Sequence, residues 1–230
     1  MRPVSMVWVL AAAMLSALSA ASPAQAATVA NGGFEVPDLG DNPRFRFRSA
    51  DSVPGWDSSA RDIEIWANGF SRVTSYEGTQ HVELNARGAG TLFQDVAGIA
   101  EGSSLTFEFA HRARRGTDVL RFALTDLGGD GGPGGGDDTT LFSDEFSAST
   151  AGWVLNTGST FSPVTALGGT VRLSFTAVST GSGSASVGNF LDAVSLTAEA
   201  PPAVPLPAGV PLLVSGLAAL ALLRRRRARG

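Results

Sequence analysis

The chain has 230 residues, 43% of them hydrophobic and 17% charged, with 17 basic residues, 21 acidic residues and no cysteine. That composition excludes disulfides, thiol catalysis and zinc–thiolate centres. Arg2 and five arginines beyond Leu223 lie outside residues 27–199, which keep 11 basic against 21 acidic groups, a net charge near −10 that argues against nucleic acid or an anionic membrane surface as partner.

Residues 1–26 carry Arg2, an apolar run from Val4 to Leu18 and the small-residue site Ala24-Gln25-Ala26. This is the charged, apolar and cleavage order of a secretory signal helix, cut before Ala27 by signal peptidase. The body that follows, residues 27–199, reads as short strands of period two separated by Gly, Asp, Asn and Ser.

Arg44-Phe45-Arg46-Phe47-Arg48 alternates cation and aromatic. An edge strand with the phenylalanines inward and the arginines outward accounts for it better than a base-stacking surface does. Asp62 to Trp66 alternates next, then Gln80 to Asn85, which sends Val82 and Leu84 inward and His81, Glu83 and Asn85 to the other face. Leu105, Phe107 and Phe109 mark another strand, as do Leu120, Phe122 and Leu124, and then Val171, Leu173 and Phe175. Phe190 to Leu196 forms the last one, and Thr91 to Val96 and Trp153 to Leu155 bring the total to eight or more. Strands of this number and spacing predict an all-β fold, an antiparallel sandwich or jelly roll. Between them, residues 128–138 hold seven glycines, one proline and three aspartates, which predicts a mobile loop.

Residues 200–208 are a proline-rich linker, and residues 209–223 an apolar run followed by the basic tail 224–230. A helix of that run is about 22 Å long against a hydrocarbon core of about 30 Å, so it spans a bilayer only with thinning or snorkelling. The arginines place the tail in the cytoplasm and the body outside the inner membrane. Val204-Pro205-Leu206-Pro207-Ala208, then the short apolar helix, then Arg224 to Arg227, resembles the tail of PEP-CTERM proteins in its VPLPA variant. The resemblance implies a sorting signal read by an exosortase and a protein that ends on the cell surface or in the medium. A plain C-terminal anchor is the alternative.

The two ends of the body carry a second resemblance. Asn31-Gly32-Gly33-Phe34-Glu35 and Phe190-Leu191-Asp192-Ala193-Val194-Ser195-Leu196 are similar to the first and last strands of galactose-binding-like jelly rolls found in carbohydrate-binding modules. The resemblance implies that Glu35 and Asp192 share a structural calcium ion. In the residues themselves, Asp192 keeps register with Phe190, Val194 and Leu196 and points inward, where a carboxylate needs a partner. A hard cation is one such partner; backbone amides at a turn, with Glu35 exposed, are the other. Ile63 to Trp66, Glu77 to Asn85, Leu92 to Asp95 and Phe109 to Arg112 extend the similarity over most of the body.

Glu64, Trp66, His81, Glu83 and Asn85 share the outward side of two strands, a combination of ring, carboxylate, amide and imidazole that suits sugar hydroxyls and C–H faces. A solvated strand face with Trp66 covered by a loop is the other reading. His111 and Arg112 add donors for an acidic sugar or for the surplus carboxylates of the body. Two histidines, no cysteine and no nucleophile elbow leave carboxylate pairs, Glu64 with Glu83 or Glu83 with Glu108, as the routes to catalysis, so the expectation is no enzyme. The sequence therefore predicts an exported module that binds a polysaccharide or matrix glycan, or else a structural or adhesive matrix protein without a specific glycan.

Overall fold

A computed structural model describes residues 28–41, 44–158, 161, 163–201, 224, 225 and 227. The expected signal helix, the Val204–Ala208 motif and the apolar run 209–223 lie outside the described residues. No helix among the described residues is long and apolar enough to cross a membrane.

Residues 28–201 are all-β, with two antiparallel sheets facing each other across one core. The first sheet runs β1 (Phe45–Ser49), β3 (Asp62–Ala67), β4 (Gln80–Glu83), β12 (Phe190–Glu199), β6 (Ser104–Arg112), with β9 (Val154–Thr157) and β10 (Val164–Thr165) both paired to β6. The second runs β2 (Asp57–Ser58), β5 (Thr91–Ile99), β11 (Gly169–Ser179), β7 (Thr117–Asp126), β8 (Thr139–Ser149). The predicted alternations of β3, β4, β5, β6, β7 and β11 become strands for the predicted reason, since the apolar half of each period faces the other sheet. Phe107 and Phe109 of β6 meet Phe122 of β7 at ring separations of 4.5 and 5.2 Å, and Phe122 meets Phe175 of β11 at 5.0 Å.

Three expectations are corrected. Phe45 and Phe47 do lie on an edge strand, but they stand opposite Trp66 and Glu64 on the outer side of the sheet, while Arg46 and Arg48 stand opposite core residues Ile65 and Ile63. The edge strand β8 of the second sheet has no counterpart among the predicted alternations, because only Ala148 of its residues is buried. Finally, β12 carries a bulge between Asp192 and Ser195, with Ala193 at φ 50°. The bulge shifts the alternation by one residue, so Asp192 lies on the Phe190 side and not with Val194 and Leu196.

The glycine-rich stretch joins β7 to β8 and carries its own carboxylate–amide bonds. Gly129 N donates to Asp137 Oδ2 at 2.7 Å and Gly134 N to Asp138 Oδ2 at 2.8 Å.

Candidate functional site

Strand pairing puts Glu64 opposite Glu83 and Trp66 opposite His81 on the outer side of the first sheet, the shared side that the alternation predicts. Their exposure is the correction. Trp66 is 1% exposed and His81 0%, and both glutamates are buried with them. Trp66, Val73 and Phe190 form a second apolar cluster, closed by Phe45, Phe70 and Trp153. The segment between β3 and β4 roofs it: Phe70 packs 4.8 Å from Trp66, Ser75 Oγ lies 3.0 Å from His81 Nδ1, and Trp153 Nε1 donates to Thr74 O at 2.7 Å.

Charge under this roof is handled by pairing and by protonation. Arg114 donates to both oxygens of Glu83 at 3.0 and 2.9 Å, and its guanidinium sits 4.7 Å from the Trp66 ring. Burial pushes the Glu83 carboxyl up, opposed by Arg114 and by the Gly188 amide. Burial lifts Glu64 from 4.5 to about 8, with the Glu83 charge adding to the shift. Its Oε1 accepts from Trp66 Nε1 at 2.9 Å. His81 is lowered from 6.5 to about 3, by burial first and by Arg112 second, and its Nε2 has no partner.

Asn85 and His111 belong to a different network. His111 Nε2 lies 3.0 Å from Asn189 Oδ1, and Asn189 Nδ2 donates to Asn85 Oδ1 at 3.1 Å. His111 stands opposite Leu191, on the core side, while its neighbour Arg112 turns outward and donates to Thr150 O.

Glu35 and Asp192 grip one loop. Glu35 Oε1 accepts from the amides of Thr79 and Gln80 at 2.8 and 3.0 Å, and Oε2 from Thr79 Oγ1 at 2.6 Å. Gly78 turns there at φ 55°, and a Cβ on it would collide with Glu35 Oε1, which explains a glycine at this position. Asp192 Oδ2 accepts from Tyr76 and Glu77 amides at 2.8 and 3.1 Å. Burial still raises Asp192 from 3.8 to about 7, and the Glu77 charge acts in the same direction. Among the described residues no group of three or more His, Cys, Asp or Glu side chains converges as a metal shell.

An accessible site lies elsewhere, where β2 meets β5 and β11. Two open cavities of about 450 Å³ each share Trp56 and Asp57. Asp51 and Arg61 line the first; Phe93, Gln94 and Arg172 line the second. Arg172 donates to Asp95 through two nitrogens at 2.7 and 2.8 Å and lies 4.1 Å from the Phe93 ring. The Trp56 indole is fixed by donation to Asn31 O at 3.0 Å. Sequence reasoning missed this groove because its walls come from separate segments.

No protein family and no curated protein matches the chain. Among solved structures it is similar to a carbohydrate-binding module described as CBM4, at 16% identity over 74% of this chain and 99% of that one, with a TM-score of 0.41. It is also similar to the CBM22-1 xylan-binding domain of Xyn10C from Paenibacillus barcinonensis, at 12% identity over 67% and 91% of the two chains, TM-score 0.44. CBM35 from Paenibacillus barcinonensis aligns at 16% identity over 68% and 99%, TM-score 0.38.

The shifted groups set opposing pH slopes. Glu64 and Asp192, raised to about 8 and about 7, hold protons in the native state that the unfolded chain releases near 4.5 and 3.8, so stability falls as pH rises through that window. His81 and His111, lowered to about 3 and about 4, stay neutral when folded, so stability falls as pH drops below 6.5. The melting temperature is expected to peak at about pH 5 to 6, where the two slopes cancel. Thermal melts followed by circular dichroism check this; a melting temperature still rising at pH 8 would contradict it.

Proposed function

We propose that residues 27–199 form a glycan-binding module of the galactose-binding-like jelly-roll type within an exported protein, and that the groove at Trp56 is its sugar site. The observation that carries this reading is the pair of adjoining cavities sharing Trp56 and Asp57. Their volumes fall in the range of small-ligand sites. A sugar needs acceptors and donors for its hydroxyls and a ring for its C–H face, and Asp57, Arg61 and Phe93 supply them. In this reading Glu64, Trp66, His81, Glu83, Asn85, His111 and Arg112 support the fold and do not line the groove. This reading assigns no reaction: both members of the pair Glu64 with Glu83 are buried, and so is Glu83 of the pair Glu83 with Glu108.

One observation favours the second reading, an adhesive matrix protein without a specific glycan. Tyr76 and Leu155 are 43% and 44% exposed beside Trp153, an apolar strip next to a short edge strand. Variants separate the two readings. Phe93→Ala and Asp57→Asn in the full chain are expected to weaken retention on the producing organism's exopolysaccharide by about tenfold with little change in melting temperature. Retention that ignores both changes, or no retention by the unaltered chain, removes the groove as a sugar site.

A structural calcium at Glu35 and Asp192 belongs to the same proposal, supported by the raised Asp192 and the nearby Glu77 charge, which a cation would offset. EDTA is expected to lower the melting temperature and added calcium to restore it. A melt insensitive to both leaves the amides of the 76–80 loop as the partners of these carboxylates. Export and exosortase processing complete the reading. Intact mass of protein from cells and medium is expected to begin at Ala27 and end near Val204–Ala208; a full-length mass in both fractions rejects it.

A further inference from the structure

Arg44 precedes β1, and Arg46 and Arg48 alternate along it, at the free edge of the first sheet. Arg46 and Arg48 share one side of the strand, spaced by roughly 6.6–6.8 Å as alternate residues are. Ser49 pairs with Asp62, so Arg61 comes next along this edge, and it lines the Trp56 groove together with Ser49 and Ala50. Arg46 and Arg48 thus lie along one side of β1 and Arg61 lines the groove at its end, while the Arg44 guanidinium sits 6.0 Å from the Phe70 ring.

The row is unpaired. The ion pairs among the described residues belong to Arg87, Arg114, Arg121 and Arg172. Arg46, Arg48 and Arg61 have none, as have Arg44, Arg72, Arg112 and Arg115, and Arg48 Nε, like Arg112 Nε, is a buried donor without an acceptor. Leaving a buried donor unmet is costly. Asp62, the nearest carboxylate in register, is engaged by Arg87.

We infer that this row binds the acidic groups of a linear anionic polysaccharide whose neighbouring hydroxyls enter the Trp56 groove, an inference that rests on the glycan-binding reading. A guanidinium fork matches a carboxylate or sulfate with two parallel hydrogen bonds and stays charged at all physiological pH. Phe45 and Phe47 point away from the row, with Phe45 stacked on Trp66 at 5.8 Å, so no free ring stands beside the arginines to stack a base. The surplus negative charge of the body disfavours a dense polyanion such as duplex DNA. A polymer with sparse charges feels mainly the row itself, because screening confines each interaction to about 8 Å at physiological salt. Asp51 and Asp57 sit in the groove beyond, where hydroxyls donate to them.

The test compares alginate, a uronic-acid polymer, with its propylene-glycol ester, in which the charge is removed, on the purified full chain. Alginate is expected to bind about tenfold tighter than the ester, with an affinity that falls as salt is added. The double variant Arg46→Gln/Arg48→Gln, at two β1 positions outside the groove lining, is expected to abolish that preference while keeping the melting temperature and the binding of the ester. Equal binding of the two polymers, or a preference that survives the double variant, overturns the inference, as does displacement of alginate by duplex DNA or phosphatidylserine vesicles at matched charge. Phe93→Ala separates the two readings: if it weakens both polymers, the groove stands, and if it weakens neither while the arginine variant loses the preference, the groove reading alone fails.

Discussion

Glu35 and Asp192 reach the same loop from opposite ends of the body, and the loop they hold is the roof over Trp66. Five backbone amide or hydroxyl donors in residues 76–80 meet these two carboxylates. A carboxylate removed from water is tolerable only when its oxygens are met, and amides fixed by a turn meet them with charge-assisted bonds. In a chain without cysteine these contacts tie the first and last parts of the body to a segment in its middle, the role disulfides have elsewhere.

The N-terminal turn carries that tie across to the groove. Ala30 exchanges two hydrogen bonds with Gln94, at 2.6 and 3.0 Å, Asn31 O accepts from the Trp56 indole, and Gly32 O accepts from Val194 at 3.0 Å. Gly32 has no room for a Cβ, which would overlap Val194 O. Phe34 then packs 5.0 Å from Trp56. The residues that position the groove wall and those that clamp the roof are therefore within six positions of one another, so the two sides of the first sheet are coupled through one turn.

Alternation made the strands legible wherever one face met the core, as in Leu105 to Phe109 or Val171 to Phe175. It failed where local geometry broke the period. Ala193 in the left-handed region moves Asp192 to the other side of β12, and no composition signal announces such a bulge. The grouping of Glu64, Trp66, His81 and Glu83 was readable, because register follows from period two, but their burial was not. Their cover comes from Phe70, Ser75 and Trp153, distant in sequence and indistinguishable there from loop residues. Phe93 and Asp95 read as ordinary alternation, and only the pairing of β5 with β2 and β11 sets them beside Asp57 and Arg172.

Charged side chains on an edge strand have a plain purpose, since they discourage a second strand from pairing with the exposed backbone. That purpose accounts for arginines on β1, while Phe45 lies on the outer side of the sheet over Trp66. It does not account for the lack of partners. Repelling another strand works equally well with an arginine that shares a carboxylate, as Arg121 of β7 does with Glu145 of β8 at 2.6 Å. In a body where acids outnumber bases by 21 to 11, pairing is the arrangement with the lower cost. Arg44, Arg72, Arg112 and Arg115 depart from it too, but Arg46, Arg48 and Arg61 do so along one edge that ends at the groove, where Asp51 and Asp57 offer acceptors. Edge protection fixes where the charges are, and their shared want of a counter-charge is what remains for a ligand to supply.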